Sequence, residues 1–289
     1  VGAALLGLPL RLGGAVGILI AAVLIAIASR LATDTAATAI ADLARAHRSE
    51  LADPAGALAI AMEAWSEFSD LEQTPPGVAL MGAIAAAHRG LNNNEDTLAW
   101  ADRLLPIAER LRLLEDTISG LMRRGTTLLT LGRPREGMIV MRGVHQLAIA
   151  NDVRDLELNA RILMTFFEQW GEPAAGLALG RGGLEIGRRL GSRWYGSQMV
   201  GNSSICAFRV GEWDFAAALI DEWLAADAAN PAAAELYVDR AILHALRGED
   251  TMPDIEEGER LLLDACTRHE WKRIIDPAGP FGDTIPPGT

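Results

Sequence analysis

The chain is 289 residues long, half hydrophobic and only 5% aromatic, with Ala, Leu, Gly and Arg prominent. That composition excludes a disordered tail, favours helices over strands, and leaves room for two ordinary domains or one elongated repeat array. The formal net charge is -12, with fourteen acidic against three basic residues between positions 212 and 264, and no basic patch interleaved with aromatics is present, which argues against direct nucleic-acid binding.

The first segment, residues 1–32, is set apart by its hydrophobicity. From Leu12 to Ser29 no residue is charged, and Arg11 and Arg30 flank the run. Its length is close to the roughly 20 residues that cross a bilayer. Two readings stand: a membrane helix through residues 12–29 that anchors cytoplasmic repeats at an inner membrane, or a buried helix packing on the next repeat. A chain that begins at Val rather than Met also reads as a fragment of a longer protein.

From residue 33 to 270 a period appears. Short polar connectors begin at Gly90, Gly132, Gly171, Gly211 and Gly248, spaced by 42, 39, 40 and 37 residues, and an earlier copy without glycine lies at Ala52-Asp53-Pro54. Each connector should end one helix with a left-handed glycine and start the next with an acid, Asn or Pro, giving six antiparallel helix pairs. Seven residues before the glycine the side chain is small at Ala83, Gly125, Ser204 and Ala241, with Met164 the exception; five residues after it, Gly137, Gly176 and Ala216 are small again. Small residues at both points let paired helices approach closely, as in tetratricopeptide hairpins. The apolar stripes agree: Leu98, Ala101, Leu105, Ala108 and Leu111 recur at three and four residues. The predicted fold is therefore all-α, a right-handed superhelical array of about six tetratricopeptide-like helix-turn-helix repeats, an α-solenoid.

Residues that carry chemistry elsewhere have structural readings here. Cys206 and Cys266 stand alone in apolar helical sequence, without a CxxC or a histidine at ligand spacing, and read as buried thiols of a reducing, cytoplasmic compartment; no metal site is expected. The five histidines read as last-turn cations or surface residues, none with an acidic companion that suggests catalysis. Trp65, Trp100, Trp170, Trp194, Trp213 and Trp223 read as core or seam packing. The glycine-rich stretch from Gly176 to Gly191 lacks the preceding strand of a dinucleotide loop and keeps helical spacing, so it reads as a loosely packed second helix. No phosphate loop, HExxH or GxSxG is found, so no enzyme activity and no cofactor are expected. Residues 271–289 are rich in Pro and Gly and read as a tail.

The stretch from Gly191 to Ala216, through Gly201-Asn202, Gly211 and Trp213-Asp214, resembles the helical-repeat arm of large bacterial signalling ATPases. In that family a tetratricopeptide-like superhelix follows the ATPase module and is joined to a LuxR-type DNA-binding domain or a nucleotide cyclase. The resemblance implies a sensing or oligomerising arm of a signal-transduction or transcriptional regulator. In a stacked array the first helix of each pair lines the concave side. Counting back from the connectors places Arg161, Thr165, Gln169, Gln198 and Arg209 on that surface, with Tyr195 and Asn202 beside it. The expected partner is a protein, peptide or ligand held in this groove, and self-association of the array is also allowed.

Overall fold

The computed structural model describes residues 15–50, 53–190, 193–227 and 233–267. Over these residues the chain is all-α, as composition and periodicity predict, with twelve helices and no strand. In chain order they are α1 (Ala15–Glu50), α2 (Pro54–Phe68), a 3-10 turn at Ser69–Leu71, α3 (Pro75–Gly90), α4 (Asn94–Arg110), α5 (Leu114–Thr130) and α6 (Pro134–Ala150). There follow α7 (Arg154–Glu168), α8 (Pro173–Leu190), α9 (Arg193–Arg209), α10 (Trp213–Asp227), α11 (Ala233–Arg247) and α12 (Met252–Thr267).

Consecutive helices pack as six hairpins, α1 with α2 through α11 with α12, at the six copies read from the connectors. The odd-numbered helices also touch one another in series, from α1 on α3 to α9 on α11, whereas successive even-numbered helices make no comparable contact among the described residues. A row that touches on one side and splays on the other must bend. The odd helices therefore form the inner, concave row.

The connectors explain why the chain turns where it does. Gly132, Gly211 and Gly248 take left-handed φ values of +73°, +87° and +75°. The amide just beyond each reaches back into the helix: Arg133 N donates to Leu128 O at 2.9 Å, Glu212 N to Ala207 O at 2.8 Å and Glu249 N to His244 O at 2.9 Å, closing the last turn. Two connectors depart from the predicted scheme. Gly90 is still helical, and Asn92, with φ 57°, takes the left-handed position, which Asn tolerates better than most residues. Gly171 is not left-handed, and its amide donates to Glu168 O at 3.1 Å. Pro54, Pro134 and Pro173 then open α2, α6 and α8, where a missing N–H costs nothing.

Helix pairs approach closely where small residues were predicted. A Cβ added to Gly137 would meet Gly125 O at 2.7 Å, and one added to Gly176 would meet Cys206 Sγ at 2.8 Å. Ala83, Ser204, Ala216 and Ala241 are all buried. The glycines of α8, predicted to pack loosely, do the opposite. A Cβ on Gly180 would lie 2.2 Å from Ser203 Oγ, and one on Gly183 2.2 Å from Met199 Cε. They let α8 press on α9. Fully buried Leu80, Ile84, Ile118, Met141, Leu158, Met199, Ile220 and Leu236 fill the seams between repeats, each contributing about 1.5–3 kcal/mol of burial.

α1 runs unbroken through position 32, and Ala37, Ala41 and Ala44 are buried in the first core cluster. Among the residues whose side chains are described, no helix is long and apolar enough to cross a membrane; the side chains at 15–22 and 24–28, most of the uncharged run from Leu12 to Ser29, lie outside that description. Residues 1–14 and the predicted tail at 271–289 lie outside the described residues.

Candidate binding groove on the inner helix row

An inner helix of this array spends most of its circumference on neighbours and keeps one stripe free. On α7 and the turn that follows it, Leu156, Asn159, Leu163, Phe166 and Trp170 mark that stripe, recurring at three and four residues. It borders two hollows, with Leu163 in the wall of one and Phe166, one turn on, in the wall of the other. Apart from Asn159, the free stripe is apolar. Phe166 is 44% exposed, Trp170 71% and Ile242 of α11 48%, a concentration of accessible apolar surface that a monomeric protein rarely leaves bare without use.

The first hollow, about 510 Å³, opens between α7, α9 and α11 and reaches α10 at its floor. Phe166, Trp170, Ile205, Phe208, Ile242 and Leu243 supply apolar walls, and Gln169, Ser204, Asp239 and Arg209 are its polar members. Gln169 Oε1 and Ser204 Oγ are buried and have no hydrogen-bond partner among the described residues. Burial, with the nearby Glu235 carboxylate, pushes the Asp239 carboxyl up to a pKa of about 7. Arg209 lays its guanidinium over the Trp170 ring, 4.9 Å from the centroid, which holds the indole at the rim.

The second hollow, about 700 Å³, lies on the inner faces of α3, α5, α7 and α9 and is more polar. Arg89, Ser119, Arg123, Thr126, Asn159 and Tyr195 face it. Burial lowers the pKa of Arg89 and raises that of the Tyr195 phenol.

The structure divides the seven residues predicted for the groove. Arg209 and Gln169 line the first hollow and Tyr195 the second. Gln198, one turn beyond Tyr195, donates from Nε2 to Glu235 Oε2 at 3.1 Å, spanning α9 and α11. The other three are not groove residues. Arg161 leans on the outer partner helix: Nε donates to Glu157 Oε1 at 3.2 Å and Nη1 to Leu179 O at 3.5 Å. Thr165 is fully buried, with Cys206 Sγ lying 3.7 Å from its carbonyl oxygen. Asn202 is buried, and its Nδ2 donates to Ile162 O at 3.3 Å across the α7–α9 seam. Leu158, on the same helix as Arg161, is fully buried in the core.

What the sequence reading missed is apolar. Phe166, Trp170 and Ile242 were not separated from core residues, and Trp170 in particular is exposed rather than packed in a seam. Other aromatics do fill seams: Trp65 stacks edge-on against Trp100 at 5.2 Å, and Trp213 Nε1 donates to Phe208 O at 3.1 Å. The histidines also differ from expectation. His145 is buried in α6, where desolvation lowers its pKa. The fold also brings His244 Nδ1 to 2.8 Å from the buried Asp254 carboxylate, which Arg240 grips at 2.6 and 2.8 Å. This cluster ties α11 to α12. Among the described residues no group of three or more His, Cys, Asp or Glu could hold a metal ion. No protein-family model matches the chain, and no curated protein matches it.

Proposed function

We propose that the chain is a helical-repeat interaction arm that binds a protein, peptide or small ligand along its inner helix row and serves the sensing side of a bacterial signal-transduction regulator. The observation that supports it is the apolar hollow whose rim exposes Phe166, Trp170 and Ile242. A concave, mostly apolar cleft of about 300–1,000 Å³ with a few polar groups is the usual form of a recognition site. The regulator context rests on the resemblance of the stretch from Gly191 to Ala216. A cytoplasmic placement agrees with the buried free thiol of Cys206, whose pKa burial pushes up to about 11.

The reading is tested by placing a photo-crosslinking benzophenone amino acid at Ile205, in the hollow, and at Ile139, which is 69% exposed on α6 of the outer row. A partner or ligand captured at 205 and not at 139 supports the groove. Equal capture at both positions, or capture at 139 alone, overturns it. The same reading makes the arm non-catalytic, and saturable ATP binding by this chain would contradict that part.

A further inference from the structure

We propose that the hollow bordered by α3, α5, α7 and α9 is a binding site for a small organic oxyanion: a carboxylate or phosphate head on a short apolar body. The proposal rests on the inner row being a binding surface, and it adds the chemistry of an occupant.

The polar groups of this hollow are open to it. Arg89 of α3, Ser119 of α5 and Asn159 of α7 come from three successive inner helices, and all line the same space of about 700 Å³. Each is half-buried, so it keeps accessible surface. None of the three makes a side-chain hydrogen bond or ion pair among the described residues. Their hydrogen-bonding capacity is left for whatever fills the hollow.

Arg89 decides the sign of the occupant. Its neighbour His88 turns to the connector, with Nδ1 3.4 Å from Asn93 Nδ2 and 3.7 Å from Asp96 Oδ2, whereas Arg89 stands in the wall of the hollow. A cation in the last turn complements the helix dipole equally well from open solvent, so that role does not account for its burial. Burial lowers the Arg89 pKa, and no neighbouring carboxylate offsets it. A cation half withdrawn from water without a counter-charge costs free energy, and an anion in the hollow would supply the missing charge. Arg123, one turn after Ser119, lines the same hollow with a second guanidinium. The nearby acids are outside the wall: Asp116 acts electrostatically on Arg123 and Asp155 on the Tyr195 phenol, but no carboxylate lines the hollow among the described residues.

The donors fit an oxyanion. A guanidinium presents its N–H groups in a fork that matches the paired oxygens of a carboxylate or phosphate, and the Ser119 hydroxyl and Asn159 amide add donors from two further helices. An ammonium would meet two like charges. A neutral alcohol could satisfy Ser119 and Asn159 but would leave Arg89 uncompensated. Met122, Leu156 and Leu163 line the hollow beside these groups, so the remainder of the ligand is apolar.

The test uses four naphthalenes that share a ring and differ in the head: 1-naphthyl phosphate, 1-naphthaleneacetate, 1-naphthalenemethanol and 1-naphthalenemethylamine. Calorimetric titration of the whole chain should show the better of the two anions binding about ten-fold or more tighter than the alcohol or the amine. Which anion is the better one tells a phosphate ester from a carboxylic acid. Arg89→Gln should weaken that anion by about ten-fold or more and Asn159→Ala by about three-fold, while Arg209→Gln, in the other hollow, leaves it unchanged. Without ligand, Arg89→Gln should melt no lower than the parent, because the guanidinium has no partner to abandon. Equal affinity for anion and alcohol, tighter binding of the amine, unchanged binding in Arg89→Gln, or an equal loss in Arg209→Gln overturns the oxyanion assignment. A lowered melting temperature for ligand-free Arg89→Gln overturns it too, since Arg89 would then be serving the fold. If neither anion binds, the oxyanion site falls, and the crosslinking at 205 and 139 decides the groove separately.

Discussion

Gly137 of α6 lies so close to Gly125 of α5 that a Cβ at position 137 would sit 2.7 Å from the Gly125 carbonyl oxygen. The contact is backbone against absent side chain, so neither partner can turn aside. Gly137→Ala should therefore destabilise the array by about 1–3 kcal/mol, the range of overpacking in a dense interior. Gly143, on the same helix, has nothing within 4 Å of its would-be Cβ, and Gly143→Ala should stabilise by about 0.5–1 kcal/mol through helix propensity. Thermal melts of the two variants should move in opposite directions. A shared direction would mean that the α5–α6 crossing is not where these contacts place it.

The turns between repeats offer a stabilising change. Arg112 closes α4 with φ 58° and no glycine, and Leu113 N donates back to Ala108 O at 2.9 Å. A left-handed non-glycine residue carries a steric cost of roughly 1–2 kcal/mol, part of which glycine returns as extra freedom in the unfolded chain. Arg112→Gly should thus raise stability by about 0.5 kcal/mol. Denaturant midpoints would show it, and a lowered midpoint would mean that the Arg112 side chain contributes more than its backbone conformation costs.

Asp239 should leave a pH signature. Its carboxyl is raised in the folded chain from 3.8 to about 7, so the folded state holds a proton that the unfolded state has lost over that interval. Stability is then full below about pH 4, declines between pH 4 and 7 as the unfolded carboxyl ionises alone, and is level above 7. Asp239→Asn removes the penalty. Its gain should be near zero at pH 4 and grow to about 2 kcal/mol at pH 8, allowing for solvent screening. Melts of both proteins at the two pH values check this, and a gain that shrinks as pH rises would reverse the assignment.

The fold was legible because its signals are local. A glycine such as Gly132 or Gly211, followed by polar residues and an apolar stripe, reports a turn whatever lies beyond it, and small residues at Gly125, Gly137, Gly176 and Ala216 report a close crossing. The groove was legible only in part, because polarity was used to find it. In a stacked array the inner helices also bury polar groups at seams, so Asn202 spends its amide on Ile162 O and Arg161 its guanidinium on Glu157. The free stripe meanwhile is apolar at Phe166, Trp170 and Ile242, and an exposed apolar residue on a helix of a repeat looks like a core residue until the neighbouring repeats are in place. The rotation of each inner helix about its axis is a tertiary quantity, and counting from a connector misses it by about one residue, or roughly 100°.

Charge reversal at two arginines separates the seam from the groove. Arg161 is only 17% exposed and meets Glu157, itself 3% exposed, at 3.2 Å, while Arg154 holds the other oxygen of the same carboxylate at 3.2 Å. His145 of α6 lies close enough for both Arg161 and Glu157 to act on its pKa, so the network joins two hairpins. Arg161→Glu would set a second carboxylate beside a buried one and remove half of its compensation, which should cost about 3 kcal/mol or more. Arg209 is exposed, and its contact with the described chain is the Trp170 face at 4.9 Å. Arg209→Glu should therefore change stability by no more than about 1 kcal/mol. Chemical denaturation of both variants separates the two cases. If Arg161→Glu unfolds at the parental midpoint while Arg209→Glu is strongly destabilised, the rotations of α7 and α9 are reversed, and the groove must be redrawn around Arg161.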